Sequence, residues 1–379
     1  VTQLTGKNIL FVGGPTEAIP GFAQAKALGV NVYVSDGNPD SLGLRWAKKY
    51  GAGWGVASTY DTEQTIDIAW RLAGGNLDGI VALSCDVGPV VARTAQALGL
   101  PHIDPETADL SWDKQALRVK LQRAMVPVAD GWLHPVDREL WMIPSETWVI
   151  KPIGGRGGRG VRLARTAGEM RQAIKEAGQV ARLVVIEQFV PGPQVSTETI
   201  IWGGQPVFTG ITDRDYRFDQ TFPFVTEFGG WGRSKYDSKP VRYGIRETVG
   251  KVVKALGIEA GTIKCDIVLD ERRGLLPTII ETAVGRLSGG YSATHYWPIC
   301  YGVDFIGAAL SVACGLDPAP FLIPSGRPLY CRGIYRDAVK AHCGPERGRF
   351  FLALGKSREE AELKAERKVE QWKKHTNNY

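Results

Sequence analysis

The sequence predicts a mixed α/β and α+β chain, and three observations carry that reading. Over the first hundred residues, short apolar runs alternate with amphipathic helical segments, with connections of the kind that build a parallel sheet covered on both faces. Further on, apolar runs come in neighbouring pairs joined by tight turns, as antiparallel strands do. With 379 residues, 44% hydrophobic and 23% charged, the chain is long enough for two or three domains of ordinary globular composition.

The first strand is expected over Asn8–Val12, followed by Gly13-Gly14-Pro15 and an amphipathic segment ending at Leu28-Gly29. A second strand over 30–34 closes at Ser35-Asp36-Gly37; helices over 41–50 and 62–72 lead to a third strand over 79–83 and a further segment over 88–98. The first turn has a glycine pair but not the full GxGxxG, so a dinucleotide at Gly13-Gly14 with Asp36 on its ribose is the weaker reading. Glycines after a first strand more often admit a close turn toward a helix.

Trp112-Asp113-Lys114 opens a helix over Lys114–Arg123 with Leu117, Leu121 and Met125 on one side, and Val126-Pro127 stops it. Thr166 and Glu169 have capping-box spacing at the head of another helix. Strands are expected over 183–186, over 195–201 and 206–211 as a hairpin through Gly203-Gly204, and over 262–269 and 276–281 as a second pair. Mixed turns fill 212–239, a helix over 244–256 ends at Gly257, and another over 305–314 packs as core. From Leu329 the chain is strand-like, then ends in a charged helix over 357–375 anchored by Leu363, Val369 or Trp372.

The stretch with most chemistry is WVIKPIGGRGGRGVR, residues 148–162. An apolar run ends in Lys151, and Gly154, Gly155, Gly157, Gly158 and Gly160 follow, with Arg156 and Arg159 among them. Backbone N–H groups in such a loop can close over polyphosphate, because no side chain holds them away. No Gly-Lys-Ser/Thr follows, so this is not a Walker A cradle; a surface hairpin with permissive glycines is the plainer alternative. Asp266 and Glu281 each interrupt an apolar run, which suits a magnesium site as well as two salt-bridge partners at strand ends. Arg286, in a glycine-rich turn just beyond, is placed to clamp a transferring phosphoryl group. His295 sits among Tyr and Trp and reads more readily as packing than as a substrate contact.

Composition narrows the classes. A formal charge of +6 is modest for this length and needs only an anionic substrate such as ATP; no localised basic face argues for nucleic acid. No apolar stretch reaches membrane-spanning length. Six cysteines without CxxC spacing suit a reducing compartment, and the N-terminus is not that of a secretory segment, so a cytoplasmic location is expected.

Taken in order, Trp112-Asp113-Lys114, residues 149–161, 185–194 and 265–290 resemble the ATP-grasp superfamily, in the branch of biotin carboxylase, carbamoyl phosphate synthetase, purine-pathway ligases and amino-acid ligases. The resemblance implies a Rossmann-like domain over 1–110, an ATP-grasp region over 111–320 with its lid near 126–200, and a C-terminal extension over 321–379. It implies Lys114 and Lys151 on the nucleotide phosphates, Gly154 to Gly160 as the closing loop, and Glu187 with Val190 as the adenine hinge. Gln194 stands where a ribose-binding glutamate is usual, with Glu198 as a candidate substitute. Asp266 and Glu281 match the magnesium acids, and Arg286 the residue that steadies the phosphate intermediate. Ala283 takes the place of the usual asparagine, which leaves a second metal ion short of a ligand.

The activity so implied is ATP- and Mg2+-dependent: a small carboxylic acid, preferably an amino acid or peptide, becomes an acyl phosphate and is joined to an amine. A purine-pathway or other small-acid ligase is the near alternative, an NAD(P)-dependent oxidoreductase using the first domain the distant one, and a nucleotide-sensing protein a third. Segment 213–239, with Arg214, Arg217, Arg233, Tyr216 and Tyr236, is the expected acid-binding surface unless its arginines are ordinary ion-pair partners. Small acid and amine substrates are the expected partners, with a homodimer allowed for through the charged C-terminal helix.

Overall fold

The computed structural model describes residues 2–140, 146–154, 158–287, 291–336 and 349–376. Its first sheet is parallel: β1 (Asn8–Val12), β2 (Asn31–Asp36), β3 (Gly53–Val56) and β4 (Gly79–Val81), in the order β3-β2-β1-β4. Side chains alternate across β1, so Ile9 and Phe11 enter one core with Phe22 and Leu44, while Leu10 and Val12 enter another with Ala69 and Val90. Helices Ile19–Ala27 and Leu42–Tyr50 therefore cover one face, and Thr62–Ala73 and Gly88–Ala97 the other.

The first turn explains its glycines without a ligand. Gly14 N donates to Asp36 at 2.6 Å, and Gly43 N, at the head of the second helix, donates to Gly14 O at 3.0 Å. A Cβ on Gly43 would stand 2.3 Å from Gly14 Cα, so the pair exists to let a helix backbone rest on the turn. Asp36 also accepts from Asn38 N, which commits its carboxylate to loop geometry, and the oxidoreductase reading loses its ribose acid.

A second, antiparallel sheet has the order β5-β8-β6-β7, from β5 (Gly131–Pro135), β6 (Trp148–Pro152), β7 (Arg162–Ala164) and β8 (Leu183–Gln188). Helix Ala167–Ala177 packs on it through Met170, Ala173, Ile174 and Ala177, and the expected capping box of Thr166 and Glu169 is formed. The third sheet is antiparallel with seven strands: β9 (Gln194–Trp202), β10 (Gln205–Tyr216), β11 (Glu227–Gly232), β12 (Gly261–Asp270), β13 (Leu276–Val284), β14 (Tyr330–Tyr335) and β15 (Phe350–Gly355). Its order is β13-β12-β9-β10-β11-β14-β15. Helix Lys239–Leu256 buries Ile245, Val249, Val252 and Val253 against it.

Three local expectations are corrected. The stretch expected as mixed turns, 212–239, holds the end of β10 and all of β11. Its strand character was hidden because both faces carry buried charge: Arg214 pairs with Glu227 at 2.7 Å on one side, and Asp215 with Arg332 at 2.5 Å on the other. Met125 leaves the helix at φ +56° and is exposed instead of lining its apolar side. The C-terminal helix, Arg358–Thr376, is anchored by Ala361, Ala365 and Val369, while Leu363 faces solvent.

Candidate active site

Lys114 and Lys151 reach one cleft from different elements. Asp113 caps helix Lys114–Arg123 by accepting from Gln115 N and Ala116 N, which sets Lys114 at the first helical position; Trp112 Nε1 donates to Asp86 O and pins the entry. Lys114 Nζ then lies 3.4 Å from Glu281 Oε1. Lys151, at the end of β6, crosses toward β13, where its Nζ donates to Ile280 O at 3.2 Å. Lys114, Leu117, Arg118 and Leu121 of this helix, with Val128, Glu187 and residues 279–282, line a small cleft, and Lys151 touches its Glu187 and Ile280.

Glu187 is buried on β8 and holds two cations: Lys151 Nζ at 2.5 Å from Oε2, and Arg118, which donates to Oε1. Arg118 is fixed in turn by Ala129 O at 3.1 Å and Gln115 Oε1 at 2.8 Å. Sequence reasoning missed Arg118; its signal was a charge one helical turn after Lys114, on the side of Leu117 and Leu121. Val190 packs with Ala129, Val268 and Ile280 to form an apolar floor next to Glu187, the surface a flat base would lie on. Gln194 opens β9 opposite Val268, at the rim of that floor. Glu198 lies four residues further along β9, where it accepts from Trp297 Nε1 at 3.0 Å and faces Lys264, which takes it away from a ribose-binding place beside Gln194.

The glycine loop follows β6. Gly154, Gly158 and Gly160 all have positive φ, at +69°, +73° and +74°, which other residues adopt only with strain. Gly155 and Gly157 lie outside the described residues. Beyond the loop, the second sheet touches the large sheet: Leu163 N donates to Pro223 O at 2.8 Å, Arg162 lies over the Phe224 ring at 4.4 Å, and Arg165 over Phe222 at 4.3 Å.

Asp266 and Glu281 are directly opposed on β12 and β13. Their surroundings differ. Glu281 is half-exposed with Lys114 nearby, whereas both oxygens of Asp266 are engaged, Oδ1 by Ser196 at 2.7 Å and Oδ2 by Lys264 at 2.5 Å. Burial alone would push the Asp266 carboxyl up; the charges of Lys264 and Arg214 and the hydrogen bonds from Lys264 and Ser196 outweigh it and hold the group well below the usual carboxylate range. Among the described residues no three His, Cys, Asp or Glu side chains gather as a metal cage. The arrangement fits an ion that also takes oxygens from a bound phosphate chain.

Arg286 donates to Asp86, on the loop after β4, and its buried Nε has no hydrogen-bond partner among the described residues, so a donor is left for an anion. Two backbone bonds carry the junction, Leu287 N to Ala82 O and Ser84 N to Leu287 O, each 2.8 Å. Asp86 too was missed in the sequence, where it stands in an unremarkable turn. His295 hydrogen-bonds Thr294 at 2.8 Å and packs edge-on to Tyr291 at 5.4 Å; burial lowers its pKa, in keeping with the packing role. Arg214 and Arg217 pair with Glu227 and Asp215, which answers the open question about the arginines of that segment for those two. Burial pushes the Cys265 thiol up to about 12, so it is no thiolate nucleophile at neutral pH.

The ATP-grasp domain family matches residues 112–283. Carnosine synthase 1 of Mus musculus is 21% identical over 349 residues, 83% of this chain and 40% of that protein. An L-amino acid ligase from Bacillus licheniformis superposes with a TM-score of 0.69 at 23% identity, over 87% of this chain and 80% of its own. N5-carboxyaminoimidazole ribonucleotide synthetase, in an ADP complex, gives a TM-score of 0.72 at 17% identity over 98% of both chains. The chain spans between a third and a half of the length of the first curated relatives it matches. Residues 112–283 therefore match the ATP-grasp domain family, in a fold similar to those of the solved structures above.

Proposed function

We propose that this protein is an ATP-dependent carboxylate–amine ligase, which turns a small carboxylic acid into an acyl phosphate and passes the acyl group to an amine. The observation that carries the reading is that Lys114 reaches Glu281 and Lys151 reaches Ile280 next to it, with Asp266 directly across from Glu281 on the neighbouring strand. A triphosphate needs that combination: fixed cations along its oxygens, and carboxylates to hold a divalent ion against them.

Each side chain then has a task. Lys151 and Lys114 lie along the phosphate chain, and Glu187 keeps Lys151 extended so that it need not be ordered on binding. The base rests on Val190 and Val268, with the backbone of 187–190 offering donors and acceptors at its edge and Gln194 the ribose contact. A magnesium ion held chiefly by Glu281, with Asp266 beside it, would neutralise phosphate charge. Arg286 meets the transferring group with its guanidinium charge, and Gly154 to Gly160 with the lid close over it to exclude water.

The acid is preferably an amino acid or peptide. Support comes from the likeness to carnosine synthase 1 over 83% of this chain and to the L-amino acid ligase in fold. The expected setting is cytoplasmic, with small-molecule partners and a homodimer as the assembly to look for; no helix among the described residues is long and apolar enough to cross a membrane. The test is product analysis with ATP, Mg2+ and pooled amino acids. ADP with phosphate and a condensed product supports the proposal; AMP with pyrophosphate, or turnover indifferent to the acids, overturns it.

A further inference from the structure

The resemblance supplies an asparagine two residues after the second metal acid, as part of the coordination of a second ion. Here that residue is Ala283, and in the strand register it lies directly across from Lys264. Lys264 is 7% exposed and shares its face of the sheet with Asp266 and Glu281, because residues two apart on β12 point the same way. Its Nζ is 2.5 Å from Asp266 Oδ2, and Ser196, opposite Asp266 on β9, holds the other oxygen. Three departures thus converge: a ligand is lost, a fixed positive charge stands across from the loss, and one of the two acids is already satisfied.

We propose that Lys264 takes the charge-neutralising place of a second metal ion, so that this chain engages its nucleotide with one divalent ion, held chiefly through Glu281. Two elementary effects support this. A small divalent ion asks for several oxygen ligands in fixed geometry, whereas an ammonium needs only one or two acceptors and brings its charge with it. A second ion at Asp266 would also stand beside a buried ammonium, and like charges repel strongly where water is scarce. Alanine at 283 presents no polar group to compete for the amine. Glu281, half-exposed and on the open side of the pair, keeps its carboxylate accessible to an ion that the phosphates also ligate.

This inference rests on the nucleotide reading above, and its test separates the two. Mn2+ is titrated into the protein with saturating ADP, and free Mn2+ is read by its paramagnetic resonance signal. The expected result is one bound Mn2+ per chain in the unaltered protein, one in Lys264→Arg, and two in Lys264→Met. Two ions in the unaltered protein or in Lys264→Arg would overturn the proposal, as would a count of one in a folded Lys264→Met. Should Lys264→Met not fold, the unaltered protein and Lys264→Arg decide. Failure of the unaltered protein to bind ADP with Mn2+ at all overturns the nucleotide reading, and this proposal with it.

Discussion

Arg286 donates to Asp86 across 200 residues of chain, and the bond ties the loop after β4 to the connection that leaves β13. The N-terminal unit is thereby tied to the residue to which the proposed function gives the transferring phosphoryl group. Replacing Arg286 by alanine is expected to lower kcat by about 10²–10³, the usual scale for one preorganised charge donor, with ADP affinity changed less than about threefold. Asp86→Asn should raise KM for the co-substrates and leave ADP binding alone. Steady-state kinetics with ADP titration checks both; a loss of ADP affinity in Arg286→Ala as large as the loss of kcat would contradict the assignment.

Glu187 balances two buried cations, so removing its charge leaves Arg118 and Lys151 facing each other. Glu187→Gln is expected to destabilise the fold by about 3 kcal/mol, in the range for breaking a buried ion pair from one side. Adding Lys151→Met to it should recover part of that stability while still weakening ATP binding. Urea unfolding of the parent and the two variants gives the comparison.

On the proposed reading, closure of the second sheet over the nucleotide would draw on contacts away from the chemistry. Arg162 over Phe224 is a cation–π pair worth about 0.5–1 kcal/mol at an exposed site. Phe224→Ala should therefore raise the apparent Kd for ADP about two- to fivefold with an unchanged unfolding midpoint. An unchanged Kd would remove this contact from the account of the lid.

His295 gives a pH signature. Burial lowers its pKa in the fold, so the unfolded chain binds its proton more readily. Its contribution to stability is complete above its unfolded pKa, about 6.5, and is lost as pH falls through the lower folded value. His295→Gln should therefore lie closest to the parent in stability, or above it, near pH 5, and fall further below it near pH 8. A difference independent of pH would contradict the buried neutral imidazole.

The sequence made the architecture legible wherever local chemistry and global fold agreed. Alternation across β1, the capping box at Thr166 and the apolar runs of β12 and β13 each follow from period and composition alone. Legibility failed where tertiary pairing rewrote the local signal. The end of β10 could not be seen because Arg214 and Asp215 are buried as pairs with Glu227 and Arg332, and a strand with charge on both faces looks like a loop. Glu187 could be located but not its bond to Arg118, and Asp266 could be read as a metal acid but not as the partner of Lys264, because spacing does not report what approaches from another element. Asp86 illustrates the limit: nothing in Ser84-Cys85-Asp86 marks it until Arg286 arrives.

The central claim is that an acid of the substrate attacks the terminal phosphate of ATP in the cleft of Lys114 and Lys151. Oxygen-18 placed in the carboxylate of an acid that supports turnover tests it directly. The account predicts that one labelled oxygen appears in each phosphate released; labelled acid that turns over and yields unlabelled phosphate would contradict it.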